Sequence, residues 1–350
     1  MFAAPLLYES HCHTTLCKHA FGTTDDYAAV ALARNFKGIT FTCHCPLPDG
    51  FSASVRMRPD QFEEYVAMIA ATREAFAGRL DVRLGLESDF YPGVEPWLRE
   101  LHSRVPLSHV LGSIHYQVMD YRRLFYTGEI FSYQQLYYEH LALSAESGLF
   151  DTLAHPDLIK NESPADWDFE QMRPHIGRSL DRIAATGVAM ELNTSGVQKS
   201  LQEMNPSSSQ LVMMRERDIP VVIGADAHVP ERVGDGYVRA LNLLRDAGYS
   251  DVSFFIDRQR QTLPIAAALA HGDDHQPGLT AELFTPTGEI STLIGPDAGE
   301  IADADDDPLR KERPRARRAG RAFCKNVMDA GGAGHDQEDS GVSSLGKRSE

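Results

Sequence analysis

The sequence is short of positive charge and has no long apolar run, and each shortage excludes a class of partner. Its 350 residues carry a formal net charge of −16. Nucleic acid and anionic membrane surfaces are therefore unfavourable general partners, because both repel an acidic chain. No apolar run approaches the roughly 20 residues that a membrane-spanning helix requires. We expect a protein that acts on neither nucleic acid nor membrane, and composition leaves its oligomeric state open.

Cysteine is also scarce, and its placement argues against a disulfide-stabilised protein. The five cysteines are odd in number and lie near histidines rather than at the spacings of a disulfide framework. Residues 1–5 lack the charged segment and apolar core with which a secretory signal begins. Together these features predict a soluble, cytoplasmic protein.

Strand-like and helix-like segments alternate along the first 265 residues. Alternation of this kind is typical of an α/β fold with a parallel sheet. The seven strand-like segments are 6–11, 38–44, 82–90, 109–116, 152–157, 187–193 and 220–227. Helices are predicted between and after them, over 23–35, 59–77, 131–147, 168–186, 206–217 and 231–247.

The composition changes near residue 265. From residue 266 onward aromatic residues are few, and an acidic run at 303–307 precedes a basic run at 310–321. Such a segment buries too little apolar surface to offset the entropy of ordering it. We therefore predict a folded domain over residues 1–265 and a disordered tail over 266–350. A solvated tail is favoured over one whose basic run contacts a polyanion.

Histidines and carboxylates stand where the strand-like segments end. His11 and His13 are two residues apart, which directs both rings to one face of a strand, and Asp226 and His228 repeat that spacing. In a parallel α/β barrel the carboxyl ends of all strands converge on one face. The remaining members of this set are His19, His44, Glu87, His115 and His155.

Each of these residues alone has an ordinary structural explanation, as a hydrogen-bonded core histidine or an ion-paired carboxylate. A buried cluster of them without a cation would be costly, and metal ions remove that cost. Imidazole suits zinc, iron or manganese better than magnesium. A second possibility is a structural zinc site built from Cys12, Cys17, Cys43 and Cys45. Strand alternation would point Cys43 and Cys45 away from His44, so buried, weakly polar cysteines are the favoured interpretation.

The ordered set of nine residues resembles the polymerase-and-histidinol-phosphatase (PHP) superfamily of metal-dependent phosphoesterases. The resemblance covers about residues 6–230. It implies a distorted seven-stranded (β/α)7 barrel, similar to a TIM barrel, with three divalent transition-metal ions that are zinc, iron or manganese. The implied ligands are His11, His13, Glu87 and Asp226 for one ion, Glu87, His115 and His155 for a second, and His19, His44 and His228 for a third.

The chain departs from the usual family motif at two positions. Ser10 stands where many members have Asp before the first histidine, and Cys43 stands where they often have Asp before the histidine of the second strand. Both positions precede predicted ligands. The departures therefore affect the hydrogen bonds around the ligands rather than the ligand set itself.

Four local strings, at 43–48, 55–57, 155–160 and 191–196, resemble the monofunctional histidinol-phosphatases of histidine biosynthesis. The implied activity is that of a phosphoric monoester hydrolase, converting L-histidinol phosphate to L-histidinol and phosphate by attack of a metal-activated hydroxide. The catalytic residues carried over are Glu87, Asp226 and His228. Two alternatives stay open: a PHP phosphoesterase acting on a nucleotide or sugar phosphate, and a non-catalytic metal-binding scaffold.

Cations beyond the strand ends are candidates for binding the phosphate group. Arg56 follows the second strand, Lys160 the fifth and Lys199 the sixth. The long loop 45–58 would cover the substrate, with Phe51 able to pack on a flat ring. Arg56 would reach back to the phosphate, since a guanidinium can bind phosphate oxygens with two nitrogens.

Overall fold

Within the part of the chain that the structure describes, nine strands form one sheet in which each strand neighbours the next along the chain. The computed structural model describes residues 6–272, so most of the predicted tail, residues 273–350, lies outside the described residues. Strands β1 to β8 pair in parallel and β9 is antiparallel to β8. The strands are β1 Tyr8–Cys12, β2 Gly38–Phe41, β3 Asp81–Asp89, β4 His109–Ser113, β5 Thr152–Leu153, β6 Ala189–Asn193, β7 Val221–Gly224, β8 Asp251–Ile256 and β9 Gln259–Pro264.

Helices connect the parallel strands, as right-handed crossovers between them require. Thr23 caps the first helix by accepting a hydrogen bond from the Asp26 amide, and Asp26 accepts one from the Thr23 amide in return. Asp168 caps the helix Phe169–Thr186 by accepting hydrogen bonds from the Glu170 and Gln171 amides. The α-helices of the described part are α1 Thr24–Ala33, α2 Phe62–Ala75, α3 Glu95–Ser103, α4 Met119–Phe125, α5 Ile130–Glu146, α6 Phe169–Thr186, α7 Ser208–Arg215, α8 Tyr237–Asp246 and α9 Ile265–Gly272.

The barrel closes between β1 and the segment after β7. The Ala227 amide donates to the His11 carbonyl at 3.0 Å, and the His13 amide donates to the Ala227 carbonyl at 2.9 Å. Lower in the seam, the Tyr237 hydroxyl lies 3.1 Å from the Tyr8 carbonyl and 2.9 Å from the Ile223 carbonyl. The predicted distorted seven-stranded barrel is therefore confirmed. Over part of its seam, hydrogen bonds from the Tyr237 side chain replace backbone pairing.

A charged side chain also contributes to this seam. The buried Glu9 carboxylate accepts hydrogen bonds from the Ala225 amide at 3.0 Å and the Gly234 amide at 2.7 Å. Burial raises the pKa of Glu9 to about 7. Glu9 thus provides the hydrogen-bond acceptor for two backbone amides that have no partner on a neighbouring strand.

The structure adds elements that the sequence patterns did not predict. The β8–β9 hairpin packs below the seam, where the Phe254 ring stacks on Tyr8 with centroids 4.8 Å apart. Helices α3 and α4 were also missed, and α8 begins later than predicted because Pro230–Arg232 forms a separate 3-10 turn. Structure continues past the predicted boundary at 265, since α9 starts there and buries Ala268 in the core.

Apolar residues fill the interior and leave the polar set at one end. Leu86, Leu153 and Met190 on β3, β5 and β6 are fully buried. The polar residues lie at or just beyond the carboxyl ends of the same strands, which is the face where barrels place their sites. Among the described residues, no helix is both long and apolar enough to cross a membrane.

Candidate metal centre

Glu87 lies at the centre of a cluster of histidines. Its Oε1 is 3.0 Å from His155 Nε2 and 3.5 Å from His115 Nε2. Its Oε2 is 2.8 Å from His44 Nδ1 and 3.5 Å from His11 Nε2. The two oxygens of one carboxylate thus face different groups of imidazoles, which is the arrangement expected of a carboxylate that bridges two metal ions.

A second part of the cluster surrounds Asp226. Its Oδ1 lies 3.1 Å from His13 Nε2 and 3.5 Å from His228 Nδ1. The His228 ring stacks on His13 at 3.9 Å between centroids and lies 4.6 Å from the His19 ring. All nine residues predicted as ligands are therefore brought together, although their division among three ions stays a prediction.

The backbone bends sharply at two of these residues. His155 has φ 30° and Asp226 has φ 52°, both in the left-handed region that non-glycine residues rarely adopt. Such conformations cost of order 1–3 kcal/mol each and persist only where the surroundings enforce them. Here they turn the chain at the ends of β5 and β7 so that both side chains enter the cluster.

The donor set fits divalent metal ions. His228 Nε2 is buried and has no hydrogen-bond partner among the described residues, and Glu87 Oε2 forms no hydrogen bond of good geometry although it lies 2.8 Å from His44 Nδ1. Several trios of donor atoms also lie within 4.8 Å of one another, including those of His11, His13 and Asp226 and those of His44, Glu87 and His115. Unpaired donors that converge at this distance are costly to bury unless a cation joins them.

In the absence of a metal ion, the electrostatics of the cluster favour the ligand forms of Glu87 and His44 but the protonated form of His13. Burial opposes ionisation of Glu87, but His44 and His115 together hold the pKa of its carboxyl well below the usual range. Burial lowers the pKa of His44 to about 4, so its imidazole is neutral at pH 7. Burial also disfavours a charged His13, yet the hydrogen bond with Asp226 raises its pKa to about 9. A metal ion bound at His13 would replace that proton.

Glu191 is a functional candidate that the sequence analysis did not single out. It is fully buried, and its Oε1 lies 2.7 Å from His11 Nδ1 while its Oε2 accepts from the His155 amide at 2.9 Å. Asn193 donates to both Glu191 and Asp226, at 3.0 and 3.2 Å. Glu191 thus fixes the orientation of two predicted ligands, as outer carboxylates do in metal sites. A carboxylate inside an apolar strand was the signal that could have revealed it.

Asp89 is a second carboxylate that orients a predicted ligand, in this case His115. Its Oδ1 lies 3.0 Å from His115 Nδ1, and it is two residues from Glu87 on β3. On its other side Asp89 is paired with Arg56, whose guanidinium is 2% exposed. The spacing from Glu87 placed Asp89 on the same strand face, and this signal was overlooked.

The three cations predicted to bind phosphate differ in burial and in the contacts that they make. Arg56 and Lys160 are both buried in ion pairs. Lys160 Nζ contacts Asp157 at 3.0 Å, the Met204 carbonyl at 2.9 Å and Glu203 at 3.1 Å, so it joins two loops. Lys199 is partly buried after the 3-10 turn Thr194–Gln198. Contact of any of the three with phosphate stays a prediction.

The cysteines do not form the four-cysteine zinc site that was the second possibility. Cys17 and Cys43 lie close to histidines of the cluster, whereas Cys12 and Cys45 belong to none of the potential metal-binding groups among the described residues. Strand alternation did not hold at Cys43, because β2 ends at Phe41 and only an isolated bridge at His44 continues it.

Comparisons with known proteins agree with this geometry. The model of the PHP domain family matches residues 9–195. A Deinococcus radiodurans protein named "Probable histidinol-phosphatase" is 39% identical over 271 residues, which are 74% of this chain and 99% of that protein. A Bacillus subtilis protein named "Histidinol-phosphatase" is 27% identical over 258 residues, 65% of this chain and 96% of that protein.

Similarity to solved structures extends over the same region. The histidinol phosphate phosphatase of Lactococcus lactis, solved with zinc, L-histidinol and phosphate, superposes with a TM-score of 0.62 at 16% identity. The superposition covers 73% of this chain and 98% of that protein. At this identity the likeness is one of fold.

Proposed function

The chain belongs to the PHP domain family, and we propose that within it the protein is a histidinol-phosphatase, which hydrolyses L-histidinol phosphate to L-histidinol and phosphate. The alignment with the Deinococcus protein supports this, since it spans 99% of that protein's length. The Lactococcus complex holds zinc together with L-histidinol and phosphate, which are the two products of the proposed reaction.

The observation that carries the proposal is the position of Glu87 between two groups of histidines. One oxygen faces His115 and His155, and the other faces His11 and His44. A structural metal site needs only one closed set of four ligands. A shared carboxylate flanked by further histidines instead supports a site with more than one ion, which is the arrangement that clamps a phosphate ester.

We assign metal binding to the nine clustered residues, with three ions as the proposed number. When bound, the ions supply positive charge that polarises the phosphate group and acidifies a water molecule. The proposed ligands are His11, His13, His19, His44, Glu87, His115, His155, Asp226 and His228.

Asp226 and His228 lie at the accessible edge of the cluster. Their side chains are 15% and 29% exposed, whereas those of His11 and Glu87 are buried. Asn193 and Ser195 both donate to Asp226 Oδ2 at 3.2 Å, which leaves Oδ1 facing the cluster. In the proposed reaction Asp226 orients the attacking water by accepting its hydrogen bond. The buried Glu87 carboxylate fixes the two groups of histidines relative to each other.

The loop 45–58 forms the proposed wall of the substrate site. The Ser52 amide donates to Asp120 on α4 at 2.8 Å, and the Lys18 ammonium donates to the Ala53 carbonyl, so the loop is held at both sides. One face of the Phe51 ring stacks on Tyr91, with 4.4 Å between the centroids. Because this wall is fixed, its contacts with the imidazole and amine of the substrate can orient the phosphate group. Such contacts then raise the rate of the reaction.

The test is turnover of a panel of phosphate esters by the metal-loaded protein. We expect kcat/KM for L-histidinol phosphate to exceed that for a simple aryl phosphate at least ~10²-fold, which corresponds to about 2.7 kcal/mol. Chelator-treated protein and the Asp226→Asn variant are the controls and should both be nearly inactive. Preference for a nucleotide or sugar phosphate would refute the substrate, and a lack of turnover on every ester would refute the enzyme.

A further inference from the structure

Two buried cysteines lie beside the metal centre, and the ligand set carried over from the family includes neither. The donor atoms of Cys17, His19 and His228 lie within 4.8 Å of one another, and those of His13, Cys17 and Cys43 form a second such group. Both thiols are fully buried. Cys17 is therefore adjacent to three of the proposed ligands, and Cys43 to one.

The local backbone fixes Cys17 in this position. It ends the 3-10 turn Thr15–Cys17, whose geometry is closed by a hydrogen bond from the Cys17 amide to the Thr14 carbonyl at 3.1 Å. Lys18 then reverses the chain in the left-handed region, with φ 74°. This reversal brings the side chains of Cys17 and His19 to the same nitrogen donor of His228.

The neighbouring imidazoles each have one nitrogen left for a metal. His19 Nδ1 lies 2.8 Å from the Cys17 carbonyl, and His228 Nδ1 lies 3.1 Å from the Asp226 carbonyl. Backbone carbonyls therefore fix both rings through Nδ1, which leaves Nε2 as the donor atom. His228 Nε2 is buried and has no hydrogen-bond partner among the described residues. Two such nitrogens and a nearby sulfur are a donor set typical of zinc.

Cys43 has a different environment. Its sulfur accepts hydrogen bonds from the Thr14 amide at 3.4 Å and the Thr14 hydroxyl at 3.3 Å. Thr14 thus satisfies the Cys43 sulfur, which also lies 3.6 Å from the Thr14 carbonyl and is hydrogen-bonded with the Cys17 thiol. This arrangement suits a residue that positions a ligand rather than one that binds the ion itself.

We propose that the sulfur of Cys17 is a ligand of the metal ion held by His19 and His228. Binding replaces the thiol proton, which is released to solvent, so no electron transfer is involved. A thiolate ligand makes this one position selective for zinc or another thiophilic ion over magnesium and manganese. The inference rests on the metal centre of the proposed function but not on which ester is hydrolysed.

The first experiment uses the unaltered, zinc-loaded protein, so it does not depend on any variant folding. Zinc-edge X-ray absorption should contain a sulfur scatterer at about 2.3 Å in addition to nitrogen and oxygen at about 2.0–2.1 Å. A spectrum fitted by nitrogen and oxygen alone would overturn the proposal.

The second experiment identifies the sulfur. In protein loaded with cobalt(II), a thiolate ligand produces a near-ultraviolet charge-transfer band. We expect that band in the unaltered protein and in Cys45→Ser, and its loss in Cys17→Ser. Cys45 is a matched control because it is equally buried in the same region but lies outside the potential metal-binding groups. Circular dichroism should confirm that both variants are folded.

Zinc affinity provides a quantitative readout in the same samples. Loss of a residue that merely orients a ligand lowers affinity ~10–100-fold, so loss of Cys17 should weaken one zinc ion by at least that factor. A band that persists in Cys17→Ser and disappears in Cys43→Ser would contradict the assignment. Turnover of L-histidinol phosphate is measured in parallel, so a wrong substrate with an intact cobalt–thiolate band would refute only the proposed function.

Discussion

The guanidinium of Arg56 contacts both carboxylate oxygens of Asp89, at 2.6 and 3.3 Å, in an ion pair that is almost completely buried. Asp89 in turn contacts His115, one of the proposed ligands. Arg56, which was predicted to bind phosphate, is therefore ion-paired with a carboxylate that contacts a proposed metal ligand. This relationship can be tested directly.

Replacing Arg56 should affect stability before it affects substrate binding. Arg56→Ala leaves Asp89 buried without its partner, which typically costs 3–5 kcal/mol. Urea denaturation measures this cost, and Arg58→Ala is the matched control. Arg58 pairs with Asp60 in the same loop, but both side chains are more than half exposed, so its loss should change the stability far less.

The kinetics of the same variant distinguish positioning from direct contact. If Arg56 acts through Asp89 and His115, Asp89→Asn should lower kcat as Arg56→Ala does. An Arg56→Ala protein with unchanged stability and a raised KM would instead show that Arg56 binds the phosphate group itself.

Replacing Glu87 should disrupt more than one ion. Glu87→Gln keeps the shape of the side chain but removes the charge that faces both groups of histidines. We expect a loss of metal measured by elemental analysis and a fall in kcat of at least ~10²-fold, the upper range seen when residues supporting a metal site are changed. Glu63→Gln, on the first turn of α2, is the control. Near-normal turnover with full metal content would exclude a bridging role.

Removal of metal should inactivate and destabilise the protein together. The cluster concentrates buried histidines and carboxylates that a cation would otherwise join. Protein purified without chelator should contain two to three transition-metal ions per chain. After chelation we expect a lower melting temperature and loss of turnover, both restored by adding zinc. Full activity in metal-free protein would refute the metal centre.

Stability should fall in mild acid because histidines outside the centre are buried in neutral form. His109 stacks on Phe255 and bonds with Thr152, and burial lowers its pKa to about 3. The unfolded chain binds a proton at this residue near pH 6.5 and the folded chain does not, so stability is lost as the pH falls below 6.5. Between pH 7 and 5, His109→Gln should reduce that loss by up to about 2 kcal/mol in urea denaturation. An unchanged pH dependence would show that His109 is charged in the fold.

The sequence predicted which polar residues meet at one face of the barrel because the signal for this is local. Polar residues such as Glu87 and His155 interrupt apolar strands at their ends, and the topology of a parallel barrel then brings the ends together. The same reasoning would have identified Glu191 had it been applied to every buried strand. It could not predict the left-handed backbone of His155 and Asp226, since nothing in the residue types indicates a conformation that only tertiary contacts enforce.

The sequence did not reveal which residues far apart in the chain form ion pairs and hydrogen bonds with each other. Arg56 and Asp89 are 33 residues apart, and each would be unremarkable on an exposed loop. Lys160 is buried because a loop after β6 brings Met204 over it, and residue type alone favours an exposed lysine. The β8–β9 hairpin was missed because most of the β9 side chains are exposed and carry little apolar alternation.

The seam between β1 and β7 joins the first strand of the barrel to its last across more than two hundred residues of chain. Bringing such distant segments together costs conformational entropy. His11 and His13 lie on one side of this junction, and Asp226 and His228 lie on the other. An ion held by both sides would act as a cross-link at the point where backbone pairing is sparsest. Hydrogen exchange at the amides of His13 and Ala227 should therefore slow markedly on metal binding, while amides in the β3–β4 pairing should change little.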